Sequence, residues 1–416
     1  MIALIWMMLV PSLALDEEIK NVLPEATQNY QWLHQHPEVS LKEQQTSAYM
    51  AKQLKALGLE VIPSVGKTGL MAVLRGGKPG KGPVVLYRAD LDALPVLEQT
   101  GLAYASVNKG VMHACGHDVH MATALGVLRV LVRERASWTG TVIFVGQPAE
   151  ELGFGARAMI NDPKFNEVLK RTGTPTLSLA MHDEAEFDAS MVGMQPGFIQ
   201  ATVDSIDITL YGRGGHGAKP HQTVDPVVMG SELVMSLQTI VSRRLPPGTP
   251  AVITVGRFSA GTKHNIIGPS AELQLTVRSY DDDTRAKLLS EITHVTESIA
   301  TAYHAPEKPK VVLEQNYIQA TYNDPVWTEK LRVRLVEVLG EKHVVGYTPS
   351  LGGEDFGLFA SALKIPGVMI KVGTQAQGTV NGPGLHSDKF SPSMPNTLQT
   401  SIKAMLTAVR VGLESP

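Results

Sequence analysis

Val84-Val85-Leu86-Tyr87-Arg88-Ala89-Asp90-Leu91-Asp92-Ala93-Leu94-Pro95 decides what kind of fold this chain adopts. Its first half is a continuous apolar run, the pattern of a strand buried on both faces in a mixed α/β sheet. Its second half sets two carboxylates two residues apart, so both point to the same side of an extended backbone. Charged groups at the end of a buried strand are costly unless a cation or a metal pairs with them. A surface turn with solvated acids is the plainer alternative, and the rest of the chain argues against it. Thr141 to Gly146 is a second apolar run, ending in Gln147-Pro148-Ala149-Glu150-Glu151-Leu152-Gly153. Leu177 to Met181 is a third, ending in His182-Asp183-Glu184. Open α/β sheets bind ligands at the carboxyl ends of their strands. Three tips rich in carboxylate and imidazole therefore point to one site.

Between the first two runs lies Met112-His113-Ala114-Cys115-Gly116-His117-Asp118-Val119-His120, which holds the only cysteine of the chain. If this segment is extended, Cys115 and His117 aim a thiolate and an imidazole at one point. Both are good ligands for first-row transition metals. A lone buried cysteine is more often inert, but so dense a set of ligand-type residues favours a metal. Within the set, Cys115 and His117 read as ligands, and His113, Asp118 and His120 as residues that orient them.

At 416 residues the chain exceeds what one core usually supports, so two domains are expected. The pattern changes after Gly197. Val203 to Leu210 alternates as a half-exposed strand. A helix from about Pro226 to Arg244, strands Ala251 to Phe258 and Ala271 to Arg278, a helix Asp283 to Tyr303 and a strand Lys310 to Glu314 follow. This order is the ferredoxin-like arrangement. The glycine-rich turn Gly212-Arg213-Gly214-Gly215-His216-Gly217 is not read as nucleotide-binding, because Pro220 and Pro226 stand where the phosphate-binding helix would begin. Its glycines instead hold His216 on a tight turn. α/β character then resumes: a helix Asp324 to Leu339, an acidic turn at Gly352-Gly353-Glu354-Asp355, a strand Val368 to Val372 and a helix Asn396 to Leu413. The fold class is α/β, with a mixed-sheet domain over 16–198 and 316–416 and a ferredoxin-like α+β domain inserted over 199–315.

A hydrophobic content of 43% and a charged content of 19% describe an ordinary soluble globular protein. The formal charge of -3 gives no electrostatic case for nucleic acid or an anionic membrane as partner. One cysteine excludes an intrachain disulfide. Residues 1–15 are apolar and uncharged, and Ser12-Leu13-Ala14 resembles a cleavage site, though no Lys or Arg precedes Lys20. A signal peptide and a periplasmic or secreted location are the expectation, a cytoplasmic location the alternative. No later segment is long and apolar enough for a stable membrane span.

Asp90, Asp92, Cys115, His117, Glu150, Glu151, His182 and His386 make a mixed donor set that suits a borderline ion such as Zn²⁺ or Mn²⁺. They exceed what one tetrahedral site needs, which points to two adjacent ions sharing a bridge. The pair Glu150-Glu151 then offers one carboxylate as ligand and one as base. A helix start complementing its dipole is the plainer reading of two adjacent glutamates.

The motifs together resemble the co-catalytic metallopeptidase family of aminoacylases, hippurate hydrolases and indole-acetyl-amino-acid amidohydrolases. The resemblance runs from His34-Gln35-His36-Pro37-Glu38 to His386. It rests on Arg88 to Pro95, Cys115-Gly116-His117-Asp118, Gln147 to Glu151, Gly215-His216-Gly217-Ala218-Lys219-Pro220-His221 and Gly352 to Phe356. It implies a zinc-peptidase-like catalytic domain and a lid domain that mediates homodimerisation. It also implies two divalent ions per subunit, zinc or manganese before cobalt or nickel. Cys115, His117, Glu151, His182 and His386 match the metal ligands, and Glu150 the general base toward a metal-activated water. Asp92 matches the carboxylate that orients a metal-side group. His216 matches the lid histidine that polarises the scissile carbonyl in the partner subunit's site. Asn265 and Arg278 match positions that bind the substrate's free carboxylate. Asp183-Glu184-Ala185-Glu186 after His182 departs from the family's hydrophobic or proline-containing continuation.

The leading expectation is a metal-dependent amidohydrolase of N-acyl amino acids or related conjugates. A dipeptidase or carboxypeptidase using the same site is the alternative within enzymes. A non-catalytic conjugate-binding protein is the alternative outside them, and loss of Glu150 or of a ligand would be its mark.

Overall fold

The computed structural model describes residues 2–315 and 317–414, with side chains from Leu15 onward. The chain forms two compact units: Met1–Ile199 with Tyr322–Thr348 and Asp355–Pro416, and Gln200–Thr321 with Pro349–Glu354.

The first unit holds an eight-stranded sheet. Its order is Glu60–Val65, Gly69–Arg75, Thr141–Gln147, Val84–Asp90, Leu177–Asp188, Gly367–Gln375, Val192–Met194, Val344–Gly346. From Thr141–Gln147 to Gly367–Gln375 the neighbours run parallel, while Gly69–Arg75 joins antiparallel. Parallel neighbours bring their carboxyl ends to one edge, and register decides what meets there. Asp90 pairs with Gln147, and His182 with Lys371.

Val85, Tyr87, Val142, Phe144 and Leu179 face a core completed by Ile19, Leu125, Leu128, Ile402 and Met405. Those partners come from the helices Ile2–Gln35, His117–Arg133 and Asn396–Glu414. Leu86, Ile143, Val145 and Ala180 face a second core with Phe165, Phe356 and Phe359. Cover on both faces is why these strands read as unbroken apolar runs. Each fully buried side chain of this size contributes about 1.5–3 kcal/mol.

Two local expectations change. The Leu177 strand runs on to Asp188, held by its pairing with Gly367–Gln375, so His182 lies inside the strand and not past its tip. Cys115-Gly116-His117 is not extended: Gly116 is left-handed at φ 80 and ψ 16, and His117 opens the helix His117–Arg133. Cys115 and His117 converge through that turn.

The second unit is a four-stranded antiparallel sheet ordered Ala251–Ala260, Ser270–Ser279, Thr202–Tyr211, Lys310–Leu313. Ile206, Ile208 and Leu210 alternate inward against Leu233, Leu237, Leu288 and Ile292 from its two long helices. The arrangement is ferredoxin-like. Its limits differ from 199–315 at the C-terminal side. Ile318 exchanges backbone bonds with Val203 at 3.0 Å each way, and Arg285 stacks 3.6 Å from the Tyr317 ring centre. Leu351 O accepts from Arg278 Nη1 at 2.7 Å, and Ser350 O from the Tyr280 hydroxyl at 3.1 Å. Residues 317–321 and 349–354 therefore belong with the insertion.

The segment 1–15 expected as a leader lies outside the described residues, apart from its backbone from Ile2 and the side chain of Leu15. Among the described residues no helix is long and apolar enough to cross a membrane.

Candidate active site

Asp92 stands at the centre of the carboxyl edge. Its Oδ1 accepts the backbone N–H of Glu150 and its Oδ2 that of Glu151, each at 3.1 Å, and Oδ2 also accepts from the Ser40 hydroxyl at 2.7 Å. The Glu150-Glu151 pair is thus in a turn after the Thr141–Gln147 strand, not at a helix start. His117 is held by its Nδ1, which lies 2.8 Å from Asp92 O. That bond leaves Nε2 directed elsewhere.

The structure brings several of the candidate donors together. Cys115, His117 and His182 form one group whose ligand atoms lie within 4.8 Å of one another. Cys115, Glu151 and His386 form a second, and His117, Glu150 and Glu151 a third. Cys115 Sγ is 3.6 Å from His182 Nε2, and His386 Nε2 is 3.8 Å from Glu151 Oε1. His386 is tethered by its backbone N–H, which donates to Ala114 O at 2.7 Å.

These donors fit a divalent ion. His117 Nε2 and Glu151 Oε1 are buried, 3.9 Å apart, and without a hydrogen-bond partner among the described residues. Leaving such atoms unpaired costs about 1–3 kcal/mol each. The separation is too long for a hydrogen bond, so neither atom satisfies the other, and each is of the type that ligates a divalent ion. Burial opposes a charge on His117, but Asp90 and the hydrogen bond to Asp92 push it well above the ordinary imidazole range. The space at its Nε2 therefore favours positive charge. His182 is the reverse: burial, then the Lys371 ammonium, hold it well below that range, in the neutral form that ligates metals. Burial raises the Cys115 thiol and the Glu151 carboxyl, groups that a nearby cation would return to their charged forms.

A second layer supports the first. Arg88 is fully buried and donates to Asp90 Oδ2 at 2.6 Å and to Gln147 Oε1 at 2.8 Å. Gln147 donates to Asp355 Oδ1 at 2.5 Å. Asp90 Oδ1 lies 2.5 Å from His120 Nδ1, and His120 Nε2 accepts the Asp183 N–H at 3.1 Å. Burial would raise Asp90, but Arg88, His117 and His120 hold its carboxyl well below the usual range. Asp90 is accordingly paired with a cation, and the hydrogen bonds of His120 go to Asp90 and to the Asp183 backbone, where the sequence suggested that it orients Cys115 and His117. Sequence reasoning missed Lys371, a buried lysine beside His182, because a lysine in a strand gives no sign of burial.

The remaining candidates lie in the second unit. His216 is exposed and pairs with Ile266 in a short antiparallel ladder, and Gly217 N donates to Asn265 O at 2.9 Å. His216 Nδ1 accepts from Ala218 N at 3.1 Å, which puts the ring proton on Nε2. Arg278 sits on the strand Ser270–Ser279 and spends one N–H on Leu351 O.

Donors of this kind, with a further carboxylate beside them, are the equipment of hydrolases that activate water next to a divalent ion. The chain is such an enzyme, a hydrolase of amide bonds, and it belongs to peptidase family M20/M25/M40, which its residues 86–410 match. It is 34% identical over 360 residues to N-acetyl-L-cysteine deacetylase of Bacillus subtilis (strain 168), across 86% of this chain and 82% of that protein. It is 36% identical over 361 residues to thermostable carboxypeptidase 1 of Saccharolobus solfataricus, across 86% of this chain and 88% of that one. The crystal structure of a dinuclear metal-binding peptidase of the M20 family from Bacillus subtilis matches with a TM-score of 0.79. The two are 30% identical, over 95% of this chain and 100% of the other.

Proposed function

We propose that the protein hydrolyses the amide bond of N-acyl amino acids or related small conjugates with a free carboxylate. Two divalent ions per subunit, zinc or manganese before cobalt or nickel, would be held by Cys115, His117, Glu151, His182 and His386. When bound, they supply Lewis-acid polarisation and lower the pKa of water. Glu150 takes a proton from the attacking water and returns it to the leaving amine nitrogen. Asp92 keeps Glu150 and Glu151 in register through their backbone N–H groups. His216 offers its Nε2–H to the developing oxyanion. Arg278 and Asn265 hold the substrate carboxylate, for which a guanidinium fork is well shaped. In the same reading the protein is a homodimer in which His216 serves the partner subunit's site.

The observation that carries this reading is the Asp92 clamp, which sets one glutamate of the pair among the metal donors and keeps its neighbour within reach. Glu150→Gln should bind metal normally, by mass spectrometry, and lose about 10²–10⁴-fold in hydrolysis of an N-acetyl amino acid. Full activity in that variant refutes the mechanism.

The similarity to a protein named as a carboxypeptidase supports a second reading, peptide cleavage at the same site. A panel of acyl amino acids against dipeptides separates the two. A non-catalytic conjugate binder is disfavoured by the presence of Glu150 and of every ligand candidate. Export is proposed on the apolar stretch 1–15 alone, and an intact Met1 on protein from its native cells refutes it.

A further inference from the structure

We propose that Glu43 is a positioning residue for the reaction, fixing the backbone at Ala149 and so aiming the Glu150 carboxylate. The inference rests on Glu150 acting as the base.

Glu43 occupies the N-cap position of the helix Gln44–Ala56. An acid there ordinarily accepts N–H groups of the helix's first turn. Here that task falls to Glu38, whose Oε2 accepts the Thr46 N–H at 2.8 Å and the Thr46 hydroxyl at 2.9 Å. The Glu43 carboxylate turns inward and is fully buried. Its Oε1 accepts the N–H of Leu41 at 2.9 Å and of Ala149 at 2.8 Å, and its Oε2 the Thr68 hydroxyl at 2.6 Å.

Ala149 is the residue that needs such a hold. It is buried with φ 48, in the left-handed region. A residue with a Cβ is disfavoured there by about 5–30-fold. Strain of this kind persists only where the surroundings over-determine it, and it gathers at functional sites. The surroundings are explicit. Glu43 takes the N–H of Ala149, and Asp92 takes the next two along the chain, those of Glu150 and Glu151. Ala149 O accepts from Phe154 N at 3.3 Å and Gly155 N at 3.1 Å, closing the turn from its far side. Asp92 is bonded to Ser40 and to the N–H groups of Glu150 and Glu151, and among the described residues it makes no bond to that of Ala149. Without Glu43, the simplest relief for a buried, unpaired N–H on a strained residue is rotation of Ala149 out of the left-handed region. That rotation carries Glu150 with it.

A double-mutant cycle tests this. Glu43→Ala, Ala149→Gly and the double variant are assayed for kcat and KM on an N-acetyl amino acid, with bound zinc or manganese measured on each. Glu43→Ala should lower kcat by about 10–100-fold, the scale of a small misplacement at the reacting centre, with KM and metal content close to wild type. Glycine has no Cβ to oppose the left-handed conformation. Ala149→Gly should therefore raise kcat at least about threefold more in the Glu43→Ala background than in the wild-type one. Equal effects in the two backgrounds overturn the proposal, because a Glu43 that only anchors Leu41 and Thr68 has nothing to gain from glycine at 149. If Glu43→Ala does not fold, Glu43→Gln takes its place in the cycle, since a carboxamide oxygen is a weaker acceptor than a carboxylate. The same criterion then decides. Glu150→Gln is assayed alongside. Its activity sinks the general-base reading, whereas an inactive Glu150→Gln with no coupling sinks the role of Glu43 alone.

Discussion

His34 and Asp118 meet in the interior of the first unit, Nδ1 to Oδ2 at 2.7 Å, one residue beyond His117. The other ring nitrogen of His34 lies 3.1 Å from Glu98 Oε1. Burial opposes the imidazolium, but the hydrogen bonds to Asp118 and Glu98 raise His34 from 6.5 to about 9. The folded pKa is above the unfolded one. The contribution is therefore complete below about pH 6.5, fades as pH rises through about 9, and is absent above it. Its upper limit is on the order of 3 kcal/mol. The prediction is that His34→Asn flattens the loss of stability between about pH 6.5 and 9, read by denaturant unfolding of the metal-loaded protein. An unchanged slope sinks it.

Asp92 is a clamp for backbone and ring at once. Asparagine at this position keeps one acceptor oxygen and turns an NH₂ toward an N–H that it cannot bond. Asp92→Asn should lower kcat/KM by about 10²-fold or more and weaken metal binding by about 10–100-fold, the range for partners that orient ligands. Steady-state kinetics and a metal titration check both. A variant with wild-type values in each rules out the clamp.

Gly116 links Cys115 to His117 at φ 80, and a Cβ there would lie 2.1 Å from Asp183 Oδ2. Neither the backbone nor the space accepts a side chain. Gly116→Ala should destabilise by at least about 1–2 kcal/mol from conformation alone. It should also lower metal affinity, since both flanking residues are donors. Denaturant titration with and without zinc separates the two losses.

The sheet and its carboxyl edge were legible because strands covered on both faces print as apolar runs, and Val84 to Arg88 is one of them. The donor types at the tips were legible as chemistry. Their geometry was not: Cys115 and His117 look like an extended pair, and only the left-handed Gly116 reveals a turn into a helix. Glu43 was invisible for a different reason. Its three donors come from Leu41, Thr68 and Ala149, and no local pattern marks a polar residue satisfied by contacts so far apart in the chain. The same holds for His34, whose partner Asp118 lies 84 residues away. The edge of the insertion was misjudged because a single bridge, Val203 to Ile318, leaves no periodic trace.

The overlap of the donor groups gives the last prediction. Cys115 belongs both to the group with His117 and His182 and to the group with Glu151 and His386, whereas His386 belongs to the second alone. If the two groups are two ion positions that share Cys115, removing the shared donor must weaken both and removing a peripheral one must weaken only its own. His386 is also the most exposed member, with 57% of its side chain accessible, so its loss leaves the buried group packed. Cys115→Ala should hold well under about one ion per chain after equilibration with zinc or manganese, and His386→Ala about one, where a two-ion site holds about two. Stability should follow occupancy, because a ligand at about 100 times its Kd adds about 2.7 kcal/mol to the folded state. Chelation should then lower the Tm of wild type more than that of His386→Ala, and that of His386→Ala more than that of Cys115→Ala. Equal metal loss in the two variants would mean that Cys115 is not shared, and the two-position arrangement would have to be redrawn.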